Sequence, residues 1–276
     1  MFSGFRNNFL KKDVLNTLSH AFPSILKGLI SIINTPNPTL IPTLILTLSL
    51  PFGKCFLQGQ EKIIYMIPGQ GSDGRLFKNI SIADHEVRIL EFVPAQKGDD
   101  MQAYARRMAE KMDMSQPFSL VGVSLGGMIA LEINKIYGAE EVVLIASAKG
   151  KEEIPGLYRF FNKVPLHKLL GGNFLKFWVR TLQPMFEPMS KEDQTLWRDM
   201  LKNKESLFMK SALACIIEWE HQIDTEAENI YHIHGSKDKT LPVKHIGEAI
   251  LVQEGTHVMT LTKGDEIYAL LNNLIQ

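Results

Sequence analysis

The chain reads Gly122-Val123-Ser124-Leu125-Gly126-Gly127 between a β-rich apolar run, Phe118–Val123, and a stretch of helical periodicity, Gly126–Tyr137. No other feature constrains the fold as tightly. A strand that passes into a helix within one residue must turn so sharply that the central serine is strained. Gly122 and Gly126, two residues either side, remove the side chains that would clash. Ser124 Oγ then projects above a sheet edge, beside a helix N-terminus that favours developing negative charge. A plain tight turn is the simpler reading of the same residues, and the strand–turn–helix context speaks against it.

The surrounding pattern supplies that context. Short apolar runs recur at Ile63–Ile67, Val87–Val93, Phe118–Val123, Val142–Ala146, Ile230–His234 and Ala249–Val252. Helical patterns lie at Met101–Met112, Gly126–Tyr137 and Asp265–Ile275. Near-continuous apolar strands alternating with helices predict an α/β fold, its parallel sheet buried on both faces. One connection is too long: about 80 residues separate Ala148 from Asn229, where a crossover needs about a dozen. The surplus, residues 149–228, is predicted to be a helical cap over the sheet's carboxyl edge. Its apolar residues (Leu157, Phe160, Phe161, Leu169, Leu170, Phe174, Phe177, Trp178, Leu182) are expected to fill the insert's own core and to face a cleft.

A serine hydroxyl needs a base oriented by a carboxylate before it becomes a useful nucleophile. Asp238 follows the strand Ile230–His234, and His257 follows the strand Ala249–Val252. Both lie in loops at the same sheet edge as Ser124. Alone, Asp238 would read as a turn residue and His257 as a helix cap; three placements agreeing is harder to reach by chance. The loop Pro68-Gly69-Gln70-Gly71-Ser72-Asp73-Gly74 follows the first strand. Its Gln70 N–H, with the Leu125 N–H, would form an oxyanion hole. The same loop matches G-x-G-x-x-G, with Glu91 seventeen residues beyond Gly74. A dinucleotide reading is weakened because little helix is left to receive a pyrophosphate, and because it leaves Ser124, Asp238 and His257 unexplained. His232 and His234 share one strand face and read as a metal pair or, more plainly, as strand residues satisfied by backbone partners. Cys215 reads as a buried helical residue.

Composition narrows the classes. Thirty basic residues balance thirty acidic ones, so nothing points to nucleic acid. Two cysteines make no disulfide framework, and neither CxxC nor HExxH occurs, so no metal site is expected. The first sixty residues differ from the rest: they hold five basic residues and one acid, which leaves 25 basic and 29 acidic residues for 61–276. Residues 28–53 carry no charge. Residues 1–60 read as an export signal or membrane anchor, as a disordered extension, or as a small subdomain that four prolines disfavour. Membrane contact is expected only through residues 28–53. The protein would be exported or membrane-anchored if that segment acts as a signal, and cytoplasmic otherwise.

From about residue 62 to 276 the chain resembles the α/β-hydrolase superfamily of single-domain esterases, lipases and thioesterases. GVSLGG matches the nucleophile elbow, HGSKDKTLP the acid loop and EGTHVM the histidine loop. The resemblance implies a six-stranded, predominantly parallel sheet of order 2-1-3-4-5-6 with its cleft at the carboxyl edge. It also implies Ser124, Asp238 and His257 as the triad of a hydrolase acting on a small-molecule ester or thioester. Such a triad requires no metal or organic cofactor, and the apolar insert suggests a medium-sized acyl or alkyl group on the substrate. Many members have His-Gly before the oxyanion residue, where this chain has Pro68-Gly69, and the two antiparallel strands that often open the fold are not evident. The superfamily also includes non-catalytic receptors, so a small-molecule-binding protein is the alternative. Its sign would be a cap that shields Ser124.

Overall fold

A computed structural model describes residues 62–80, 82–83, 85–222 and 227–275. The expectations for residues 1–60 lie outside the described residues. Six strands form one sheet: β1 (Ile63–Ile67), β2 (Glu86–Ile89), β3 (Phe118–Val123), β4 (Val142–Ile145), β5 (Ile230–Gly235) and β6 (Ile250–Val252). The order is β2-β1-β3-β4-β5-β6, and every neighbouring pair is parallel.

The apolar runs are continuous because both faces are covered. Side chains alternate across a strand, so Ile63, Tyr65 and Ile67 enter one core while Ile64 and Met66 enter the other. The first core packs beneath helices α1 (Met101–Ala109) and α2 (Leu125–Tyr137). The second receives Ile267 and Leu271 of the C-terminal helix, which follows the short helix Met259–Thr262, together with Leu76 and Phe77.

Among its described residues the insert holds four α-helices: α3 (Gly156–Lys163), α4 (Gly172–Phe186), α5 (Lys191–Lys202) and α6 (Ser206–Glu218). Two more among the described residues are α7 (Met259–Thr262) and α8 (Gly264–Leu274). Trp197, Met200 and Leu201 of α5, with Phe208, Met209 and Ala212 of α6, belong to the first core. Helices α3 and α4 pack on α6 as an outer layer.

Two expectations are corrected. The second strand stops at Ile89, not Val93. The Leu90 N–H still bonds Met66 O at 2.9 Å, but β1 ends one residue later, so the chain has nothing further to pair with. Phe92 instead packs against Phe208 of the insert, the two rings tilted with centroids 4.7 Å apart. The larger correction concerns the insert. Leu157, Phe160, Leu169, Phe174, Phe177, Trp178 and Leu182 are exposed, not buried, and only Phe161 and Leu170 are partly covered. The space over the sheet is already filled by α5 and α6, which leaves α3 and α4 one inner face each.

Candidate active site

The turn after β3 places Ser124 at φ 53°, ψ −119°, in the strained left-handed half of conformational space. A Cβ on Gly122 would collide with the Gly126 carbonyl, and one on Gly126 with the Ile67 and Pro68 carbonyls. Both glycines are therefore required by close backbone approach. Ser124 N–H bonds Ile145 O at 3.0 Å, and Ser147 Oγ donates to Ser124 O at 2.6 Å. The strained residue is thus held from the β4 side.

Three loops at the carboxyl edge bring the polar residues together. His257 Nε2 lies 2.9 Å from Ser124 Oγ, and His257 Nδ1 lies 2.8 Å from Asp238 Oδ2. With the proton on Nδ1 donated to the carboxylate, Nε2 accepts from the serine hydroxyl. Asp238 Oδ1 accepts from the Thr240 and Leu241 N–H groups at 2.8 and 2.7 Å, which fixes the carboxylate plane. Burial pushes the Asp238 carboxyl up, but the facing imidazole and these hydrogen bonds outweigh it and hold the pKa below the ordinary value. Burial likewise works against the His257 imidazolium. The Asp238 charge and hydrogen bond, helped by Glu187, outweigh it and raise the imidazole pKa above 6.5.

Glu187 is the residue that sequence reasoning missed. It is fully buried just beyond α4. Its Oε1 accepts from the Lys239 N–H, the Thr240 N–H and Thr240 Oγ1 at 3.1, 3.2 and 3.0 Å. Its Oε2 accepts from the His257 N–H at 2.9 Å. One carboxylate therefore ties the acid loop to the histidine loop. The available signal was a lone acid in the apolar stretch Met185-Phe186-Glu187-Pro188-Met189.

Gln70 and Ser124 line one cleft of about 150 Å³ with His257 and Met128. The insert adds Tyr158, Val179, Gln183, Trp197, Met209 and Ile216 to its wall. Ser124 is half-buried and faces this cleft. The Gln70 side chain donates to Met209 O at 3.2 Å. The backbone N–H groups of Gln70 and Leu125 make no hydrogen bond to a described residue, which leaves both available to a ligand.

The other motifs resolve differently. The third glycine of the G-x-G-x-x-G stretch opens only a four-residue 3₁₀ turn, Gly74–Phe77, and Glu91 is occupied by the Gly74 N–H at 2.7 Å. Neither fits a dinucleotide site, which needs a longer helix and a free acid. His232 Nε2 and His234 Nδ1 lie 3.2 Å apart, and His234 Nε2 lies 2.8 Å from Leu241 O. Burial pushes the His232 pKa down to about 3 and lowers that of His234 as well, against the pull of Asp238 Oδ2 at 3.5 Å from His234 Nε2. Cys215 is buried in α6, with its thiol pKa pushed up to about 12 by burial.

No protein-family model matches the chain, and no curated protein matches it. Solved structures do. The chain is similar to an esterase from Exiguobacterium antarcticum, at 13% identity and TM-score 0.55, over 79% of this chain and 93% of that one. It is similar to MenH from S. aureus at 16% identity and TM-score 0.55, over 78% and 93%. It is also similar to the N-acyl homoserine lactonase AidH in complex with N-hexanoyl homoserine, at 17% identity and TM-score 0.57, over 79% and 89%. This chain has the α/β-hydrolase fold. The insert between β4 and β5 and the polar loops after β3, β5 and β6 are placed by that fold at one edge.

Proposed function

We propose that this protein is a serine hydrolase that cleaves a small carboxylic ester or thioester through an acyl-enzyme. The observation that carries the reading is the line from Ser124 Oγ through His257 to Asp238, at 2.9 and 2.8 Å, opening on an apolar cleft. Ser124 Oγ attacks the acyl carbonyl carbon as its proton passes to His257 Nε2. The carbonyl electron pair moves onto oxygen, where the Gln70 and Leu125 N–H groups hold it. Collapse expels the alcohol or thiol, which takes the proton from His257. Water then attacks the Ser124 ester, its proton again received by His257 and returned to Ser124 Oγ as the acid leaves. Asp238 keeps the imidazole in the working tautomer and stabilises the imidazolium.

The cleft sets the substrate's size. A cavity of about 150 Å³ accepts a benzene-sized group, so the acyl portion holds about six heavy atoms. Val179, Met209 and Ile216 make that end of the cleft apolar. The six-carbon acyl group bound by the similar lactonase falls in the same range. In this reading residues 61–276 form the hydrolase domain, with residues 149–228 as a cap that walls the cleft. A binding protein without turnover is the weaker reading, because Ser124 is open to the cleft and not sealed beneath the insert.

A p-nitrophenyl ester series from acetate to decanoate tests this on the full chain, with Ser124→Ala beside it. Turnover should peak by hexanoate and fall beyond. Ser124→Ala should lower it by about a millionfold, as loss of a triad nucleophile does. Undiminished turnover by Ser124→Ala would sink the proposal. A folded chain that neither turns over nor reacts with a fluorophosphonate would move the reading to the binding protein.

A further inference from the structure

Helix α4 has two faces. Val179 and Gln183 look into the cleft, while Phe174, Phe177, Trp178, Leu182 and Met185 are exposed on the other side. The exposed set is spaced 3, 4, 8 and 11 residues from Phe174 and so forms one stripe. Phe174 and Phe177 each meet the Trp178 ring edge-on at 5.9 Å. Helix α3, laid on the same α6, exposes Leu157 and Phe160. Exposed apolar surface on this scale marks a docking site.

Charge identifies what docks. Residues 154–186 hold five basic residues and no acid, while the rest of 61–276 holds 20 basic and 29 acidic residues. Three of the five, Arg159, Lys163 and Arg180, are exposed and make no ion pair with a described residue. A second copy of this chain would bring the same positive face against itself, because a two-fold interface is self-complementary. Residues 1–60 carry five basic residues and a single acid, Asp13, and 28–53 carry no charge, so that segment is itself net positive and a poor partner for these cations. Aromatic side chains rimmed by unpaired cations suit an anionic lipid interface, where rings enter the acyl boundary and cations meet headgroups.

We infer that the outer face of α3 and α4 docks on an anionic phospholipid bilayer, which would bring the insert side of the cleft to the membrane. This places the contact in a different segment from residues 28–53. The inference does not depend on turnover.

Trp178 reports on it directly. The chain has three tryptophans; Trp178 is 41% exposed, whereas Trp197 and Trp219 are 2% and 4% exposed. The experiment mixes the full chain with vesicles of phosphatidylglycerol and phosphatidylcholine, with and without brominated acyl chains, and with vesicles of phosphatidylcholine alone. Trp178 emission should shift to the blue and be quenched by the brominated chains only when phosphatidylglycerol is present. Replacing Arg159, Lys163 and Arg180 together by Gln should weaken partition by about tenfold or more, and added salt should do the same. Phe174→Ser with Phe177→Ser should abolish the shift while the thermal midpoint stays in place. Sedimentation with vesicles while Trp178 stays unshifted would assign binding to another segment and overturn the inference. A blue shift without vesicles that grows with protein concentration would assign the face to a second copy and overturn it equally.

Discussion

Helices α2 and α4 are alike in sequence and opposite in fate. Both are long and rich in apolar residues. Helix α2 buries nine consecutive residues, Leu125 to Ile133, whereas α4 leaves its aromatic stripe in the open. The difference comes from what lies around them. Helix α2 leaves β3 near the middle of the sheet and packs against α1, β3 and β4, so even its nominally outer residues are covered. Helix α4 is the outer layer of an insert whose inner layer, α5 and α6, already fills the core. Apolar composition reports that a surface will be covered, and topology decides whether the chain itself can cover it.

After Ser124→Ala, the largest effect should come from Asp238, in the loop after β5 that meets the head of α2. In Asp238→Asn, turnover should fall by about ten-thousandfold, because the imidazole loses its orienting acceptor and adopts the wrong tautomer. The pH profile carries the sign. His257 works as a base only when neutral, and Asp238 raises its pKa above 6.5. In the parent, kcat/KM should therefore rise with pH through a midpoint above 6.5. Without the carboxylate the imidazolium is less favoured, so the residual activity should rise through a midpoint at lower pH. A limb that stays in place would show that another group titrates.

The comparison is tested on stability by Ile129→Ala in α2. Ile129 is 0% exposed, and emptying such a site costs about 2–5 kcal/mol. Denaturant unfolding should show a lower midpoint with an unchanged slope. Glu187→Ala comes next. Helix α4 ends at Phe186, and the carboxylate one residue later holds two loops. Its loss takes the acceptor from the His257 and Lys239 N–H groups and the Thr240 hydroxyl, while the Thr240 N–H keeps Asp238 Oδ1, and should cost about 2 kcal/mol. It should also slow turnover by more than it changes KM, because His257 would lose its fixed place beside Ser124. Equal change in KM alone would mean that Glu187 only shapes the cleft.

How much of this was legible in the sequence follows the same division. The six strands and the loops that carry Ser124, Asp238 and His257 were readable, because each sits on a local signal: an apolar run, a glycine-bracketed turn, a polar residue just past a strand. The strand order came from the family resemblance alone. Glu187 was not, since its partners lie more than 50 residues away and no spacing rule links them. Nor was the exposure of Phe177 and its neighbours. Helical periodicity shows that a stripe exists but not which element lies opposite, so the sequence reading placed those residues inward. The end of β2 was missed for a related reason, since a strand's length depends on where its partner stops.

The smallest expected effect is the most informative about that misplacement. Phe177 is 60% exposed on the α4 stripe. If its ring truly faces solvent in the isolated chain, Phe177→Ser removes little buried area, and unfolding free energy should move by no more than about 0.5 kcal/mol. If the stripe is instead covered by residues 1–60 or by a second copy, the same change removes buried apolar surface. The loss would then approach the 3–5 kcal/mol of an emptied aromatic site. Measured on the full chain at two protein concentrations, the result separates these cases. A small, concentration-independent change leaves α4 as the uncovered counterpart of α2. A large one would mean that the two helices share a fate after all, with the cover for α4 supplied from outside the sheet.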